Sequence, residues 1–112
     1  MTISSRDFEI LVAVLFERMG YKIRLTQQTR DGGYDILGRK ALAGLKEQIV
    51  IECKKHSHRI GVKPVRELYG VVESKRVNKG VLVTMNSFTS DARKFAKTNR
   101  IDLVSGVLSI GV

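Results

Sequence analysis

The chain has 112 residues, 43% of them hydrophobic, enough for one compact core over 1–112 and too few for a second domain of ordinary size. Lys and Arg number 20 against 11 Asp and Glu, and the resulting charge of +9 draws polyanions, of which nucleic acid is the commonest in cells. One cysteine excludes an internal disulfide and suits a reducing cytoplasm, the apolar run 10–16 is too short for a signal peptide or a membrane span, and 6% aromatics without Trp disfavour a single-strand binder built on stacking.

Ser4 followed by Asp7 reads as a helix start, and Phe8, Leu11, Val12, Leu15, Phe16 and Met19 recur at helical spacing until Gly20 stops them. Residues 21–25 alternate as a strand. Residues 29–33 read as a turn and 34–40 as a second strand, with a connection over 41–45. Residues 48–54 form a third strand rich in β-branched side chains. After a polar loop, Pro64 suits the first turn of a helix running to about Lys75, with Val65, Leu68, Tyr69 and Val72 inward. Residues 80–85 read as a strand buried on both faces, Thr89 or Ser90 as the cap of a helix to about Thr98, and 101–104 as a last buried strand. The segment 105–112 reads equally as edge strand or loose chain. The order α-β-β-β-α-β-α-β predicts an α/β fold, with a central mixed sheet flanked by helices on both faces.

Three features carry chemistry. Asp31-Gly32-Gly33-Tyr34-Asp35 is a turn leading into a strand, Glu52-Cys53-Lys54 ends the next strand, and Glu9 lies on the first helix. Strand alternation sends Glu52 and Lys54 to one face and Cys53 to the other. A hairpin centred between Ala43 and Gly44 would set Asp35 opposite Glu52, where like charges repel unless a cation lies between them. Mg²⁺, with Mn²⁺ as a substitute, is the natural ion, held by Asp35, Glu52 and the Cys53 backbone carbonyl. Such an ion polarises a phosphoryl oxygen and acidifies bound water, with Lys54 positioning the water. Glu9 joins if its helix packs beside the hairpin. The plainer alternatives are turn chemistry at Asp31-Gly32-Gly33, with Asp35 a solvated strand start, and an exposed Glu52–Lys54 pair contributing little.

The chain resembles the catalytic domain of Mrr-type restriction endonucleases, in the PD-(D/E)xK nuclease superfamily. The matching stretches are Phe8-Glu9, Met19-Gly20-Tyr21, 31–35, Ile51-Glu52-Cys53-Lys54, 65–70, 79–84, and Ser87-Phe88-Thr89 with Ala92. The resemblance implies a restriction-endonuclease-like fold, a metal-dependent DNA endonuclease active in restriction-modification, and catalytic roles for Asp35, Glu52, Lys54 and Glu9. Many Mrr-type domains carry Gln where this chain has Glu52. It is also similar to archaeal Holliday-junction resolvases, which makes branched DNA an alternative substrate to duplex; a non-catalytic DNA-binding module of the same fold is a further alternative. Cutting both strands implies a homodimer.

Lys55, His56, Arg59, Lys63 and Arg66 border the site and are candidate contacts to the DNA backbone, aided by the helix start near Pro64. The alternative is an ordinary solvated loop. His56 and His58 lack a third ligand for zinc. Cys53 reads as a structural thiol, Arg93, Lys94 and Lys97 as a wet helix face, and Thr84, Asn86 and Ser87 as weaker phosphate contacts.

Overall fold

The computed structural model describes residues 3–26 and 33–106. Asp31 and Gly32 of the predicted turn, and the tail from 107, lie outside the described residues.

Helix α1 (Ser5–Arg18) begins at Ser4, whose hydroxyl accepts from the Asp7 amide at 3.0 Å and so satisfies a backbone donor the helix cannot. Strands β1 (Lys22–Leu25), β2 (Ile36–Leu42) and β3 (Leu45–Lys54) follow as an antiparallel meander. Then come α2 (Val62–Lys75), β4 (Lys79–Thr84), α3 (Ser90–Thr98) and β5 (Ile101–Ser105). The two later strands add parallel to β3, giving a five-stranded sheet in the order β1-β2-β3-β4-β5. Parallel crossovers share one hand, so α2 and α3 fall together on one face and leave the other to α1.

Two apolar layers result. On the α1 side, Phe8 and Val12 meet Ile36, Ile49, Ile51, Val81 and Val83. On the other, Val65, Leu68 and Val72 meet Val50, Leu82, Ala92 and Ile101. At the edge of the α1 layer, the Tyr21 hydroxyl donates to Glu47 Oε1 at 2.5 Å, and burial together with that bond pushes the phenol up to about 12.

The hairpin joining β2 and β3 is longer than its sequence suggested. The expected connection over 41–45 contracts to Ala43-Gly44, both at positive φ (53° and 83°), as a tight turn matched to sheet twist requires. Leu42 and Leu45 are therefore drawn into paired strand at the exposed tip, where their side chains offered no sign of it. The strand over 101–104 was expected to be buried. Among the described residues it is instead the edge of the sheet: Ile101 is covered, but Asp102 is exposed and Leu103 and Val104 only half-buried.

Gly80 shows how closely α2 sits on the sheet. A Cβ there would lie 2.9 Å from Val72 Cγ2 and 3.0 Å from both Leu68 Cγ and Ile101 Cδ1. Gly70, in α2, has nothing within 4 Å of such a Cβ. Gly80→Ala is therefore expected to destabilise by about 1–3 kcal/mol through overpacking, whereas Gly70→Ala gains ~0.5–1 kcal/mol of helix propensity. Urea unfolding of both variants checks this; equal midpoints would contradict the packing described.

Candidate active site

Four polar or charged residues are buried among those described: Glu9, Asp35, Glu52 and Thr84. Three are the carboxylates singled out from the sequence. Burying a carboxylate is costly unless partners compensate it, so their presence near one end of the sheet needs a local cause.

Asp35 stands just before β2, where the strand pleat breaks. Tyr34 enters the α2-side core and Ile36 the α1-side core, although regular alternation would put residues two apart on one face. The Asp35 amide donates to the Ile51 carbonyl, and the Asp35 carbonyl accepts from the Thr26 amide, each at 2.9 Å. The hairpin register confirms the centre between Ala43 and Gly44, yet its last pair is Ile36 with Ile51. The expected pairing of Asp35 with Glu52 is thus replaced by a bulge-like shift of one residue. Within it, Asp35 Oδ2 accepts from the Cys53 amide at 2.7 Å. The carboxylate is therefore one hydrogen bond from the peptide joining Glu52 to Cys53.

On β3 the alternation holds. Ile49 and Ile51 enter the α1-side core with Cys53 packed against it, while Val50 enters the other. Glu52 and Lys54 share the Val50 side by parity. Lys54 Nζ lies 3.1 Å from Glu52 Oε2, with side chains only 23% and 11% exposed. That enclosure rules out the solvated surface pair considered above.

Glu9 reaches the same end from α1. Its Oε1 accepts from Arg6 Nη1 at 3.0 Å, and the same nitrogen donates to the Thr26 carbonyl at 3.3 Å. The Thr26 hydroxyl is shared between the carbonyls of Tyr34 (3.0 Å) and Asp35 (3.1 Å). A polar chain thus runs Glu9–Arg6–Thr26–Asp35. Sequence reasoning missed Arg6 and Thr26. Arg6 carried a usable signal, three residues before an acidic residue on one helix. Thr26 carried none, because only the β1–β2 pairing brings it to Asp35.

Among the described residues, no three His, Cys, Asp or Glu side chains form a metal-holding cluster. The donors expected from the sequence, the Asp35 and Glu52 carboxylates and the Cys53 carbonyl, are all oxygen, and Asp35 is tied to the peptide between the other two. Such a set fits Mg²⁺, which commonly takes one or two carboxylates and keeps several waters.

The bordering loop is fixed rather than loose. Ile60 bridges to Phe88, its amide donating to the Ser87 carbonyl and its carbonyl accepting from Thr89, both at 2.9 Å. His56, Arg59 and Lys63 are exposed and Lys55 is half-buried. Arg66 is exposed as well, and its guanidinium lies 5.8 Å from the Phe95 ring centroid, over α3. His56 stacks on His58, with ring centroids 5.1 Å apart. Desolvation, then the charge of Lys54, then His58 hold the His56 pKa below its ordinary value. His56 therefore adds little to the loop's positive charge at neutral pH. Of the weaker phosphate contacts, Thr84 is buried with its Oγ1 accepting from the Asn86 amide at 3.2 Å, and Asn86 Oδ1 accepts from the Ser87 amide at 2.9 Å, so these side chains serve a local turn.

A mixed sheet with α1 on one face and α2 and α3 on the other, carrying its acidic groups at one end of the central hairpin, is the restriction-endonuclease-like fold. The chain belongs to the Mrr-type catalytic-domain family, described as restriction endonuclease, whose profile matches residues 1–108. It is 28% identical over 103 residues to the type IV methyl-directed restriction enzyme EcoKMrr of Escherichia coli K12, covering 88% of this chain and 34% of that enzyme. It superposes on the DNA modification-dependent restriction endonuclease AspBHI with a TM-score of 0.71 and 26% identity, over 94% of this chain and 31% of the other. The MspJI restriction endonuclease, solved in complex with a 27-mer oligonucleotide, shares the fold at a TM-score of 0.61 and 22% identity, over 88% of this chain and 25% of that one. The chain spans between about a quarter and two fifths of the length of its curated relatives.

The position of Lys54 beside the histidine pair is open to direct test. Removing its charge in Lys54→Gln is expected to raise the His56 pKa toward its ordinary value, read from imidazole chemical shifts in an NMR titration. An unchanged His56 titration would place Lys54 elsewhere.

Proposed function

We propose that residues 1–112 act as one nuclease domain, a Mg²⁺-dependent endonuclease that hydrolyses DNA phosphodiester bonds in the cytoplasm. The observation carrying this reading is that Glu9, Asp35 and Glu52, three of the four buried polar or charged residues described, lie on elements meeting at one sheet end, with Lys54 against Glu52. Membership of a restriction-endonuclease family supports the substrate class.

Asp35, Glu52 and the Cys53 carbonyl would hold the ion, with Glu9 joining through water. A divalent cation so held supplies Lewis acidity toward a phosphoryl oxygen and lowers the pKa of bound water. This chain's own groups do the positioning. The Cys53 amide fixes the direction of the Asp35 carboxylate, and Glu52 holds the Lys54 ammonium in place. From there Lys54 can donate hydrogen bonds to the attacking water and to charge developing on the phosphate, where a preorganised donor counts most. The chain Arg6–Thr26 ties α1 to the strand start, keeping Glu9 in register with Asp35. Lys55, His56, Arg59 and Lys63 would bind the DNA backbone beside the scissile phosphate. Arg66, held over Phe95, would stand at the margin of that surface. Each site cuts one strand, so double-strand cleavage needs two copies, supplied by a homodimer.

Incubating purified protein with supercoiled plasmid and Mg²⁺ or Mn²⁺ is expected to give nicked and linear products. Asp35→Asn and Lys54→Gln should each lower the rate at least about 100-fold, as loss of a group acting at the transition state does. Wild-type activity in Asp35→Asn would overturn the assignment. Methylated plasmid, unmodified plasmid and a four-way junction, run side by side, rank the possible substrates.

A further inference from the structure

The helices do not cover the sheet evenly. α2 and α3 lie over β3, β4 and β5, while β1 and β2 are backed chiefly by α1. On β1, Ile23 and Leu25 pack toward the α1-side core, which sends Lys22 and Arg24 to the opposite, open face. Arg39 joins them from β2: it pairs with Lys22, and Leu37, on the same face, pairs with Arg24. All three cations are exposed.

Two concavities include these residues. A cleft of about 420 Å³ takes Lys22, Arg39 and Lys46 from this face and Lys40 and Glu47, its one carboxylate, from the α1 side. A smaller groove of about 130 Å³ is lined by Lys22, Ile23, Arg24, Leu37 and Arg39. Glu47 is engaged by the Tyr21 hydroxyl. Among the described residues, Lys22, Arg24 and Arg39 make no ion pair, unlike Lys79 and Arg100, which pair with Asp102 and Glu73. The direct Lys22–Arg39 pairing sets like charges opposite each other across the ladder, a destabilising arrangement that a bound anion reverses.

The row also points to the candidate active site. Arg24 stands two residues before Thr26, whose amide bonds the Asp35 carbonyl. From Lys22 to Thr26 the strand covers about 13 Å, the axial length of roughly four base pairs. We propose that the open face of β1 and β2, through Lys22, Arg24 and Arg39, is a DNA-backbone surface that holds duplex flanking the scissile phosphate. The basic loop over 55–63 grips the substrate from the β3 end; this face grips it from the β1 edge. The surface rests on the nuclease reading only in taking DNA as the source of its phosphates.

The test is duplex binding without divalent metal, followed by fluorescence anisotropy of the full chain on a duplex of about 30 base pairs across a range of NaCl concentrations. Each phosphate contact contributes about 0.9 to the slope of log affinity against log salt, so Lys22→Gln/Arg24→Gln/Arg39→Gln should be shallower by about 2.7 and bind at least about tenfold more weakly at low salt. Lys94→Gln/Lys97→Gln, on the exposed face of α3, should keep the wild-type slope. The triple variant loses a like-charge pair, so its melting temperature should equal or exceed wild type, excluding misfolding. A wild-type slope in the triple variant, or no duplex binding by the wild-type chain, would overturn the surface. So would displacement of duplex by inorganic pyrophosphate from the wild type but not the triple variant, which would mark a small-anion pocket. Binding that falls as expected in a chain that cleaves nothing with any divalent ion ends the nuclease reading and leaves this surface standing. Cleavage with an unchanged slope does the reverse.

Discussion

The hydrogen bond from the Cys53 amide to Asp35 Oδ2, at 2.7 Å, sets the arrangement on which the site depends. A carboxylate at a strand start has several rotamers and, in water, no reason to prefer one. Here the pleat breaks at Asp35, the side chain turns along the sheet toward β3, and a backbone donor that cannot move takes hold of it. The same peptide carries Glu52 on its other side, so one contact places two carboxylates in a shared neighbourhood. Glu52 in turn holds Lys54, and the Arg6–Thr26 relay brings Glu9 to the same end. The regular ladder stops at Ile36 and Ile51 because the irregularity that aims Asp35 cannot coexist with continued pairing.

Much of this was legible in the sequence. Element order, the Ser4 and Thr89 caps, and the opposition of Cys53 to Glu52 and Lys54 follow from periodicity and cap chemistry, which are local. Legibility ended where the deciding interaction was not local. The register arithmetic found the hairpin centre, but it assumed an unbroken pleat and so missed the shift at Asp35. The strand over 101–104 carries the apolar residues of a buried strand, yet which strand becomes an edge is set by how many pair beside it. The approach of the Arg66 guanidinium to Phe95, on another helix, had no sign in the sequence. Thr26 owes its place to a partner distant in sequence.

Charge is organised as tightly as apolar burial. The acidic groups with structural work, Glu47 on Tyr21 and the three buried carboxylates, are drawn inward or to partners. Part of the cationic excess is left without them on the open β1–β2 face and the loop after Lys54. Repulsion within such patches is a cost in the isolated chain, and a polyanion removes it. On the proposed reading, these cations would meet the phosphates of a backbone flanking the buried carboxylates.

Diffraction from a crystal soaked in Mn²⁺ tests that centre most directly. An anomalous peak is expected about 2.1 Å from carboxylate oxygens of both Asp35 and Glu52, absent in Asp35→Asn. A saturating soak that leaves those oxygens without metal, or a peak held by Glu9 or the histidine pair alone, would contradict that expectation.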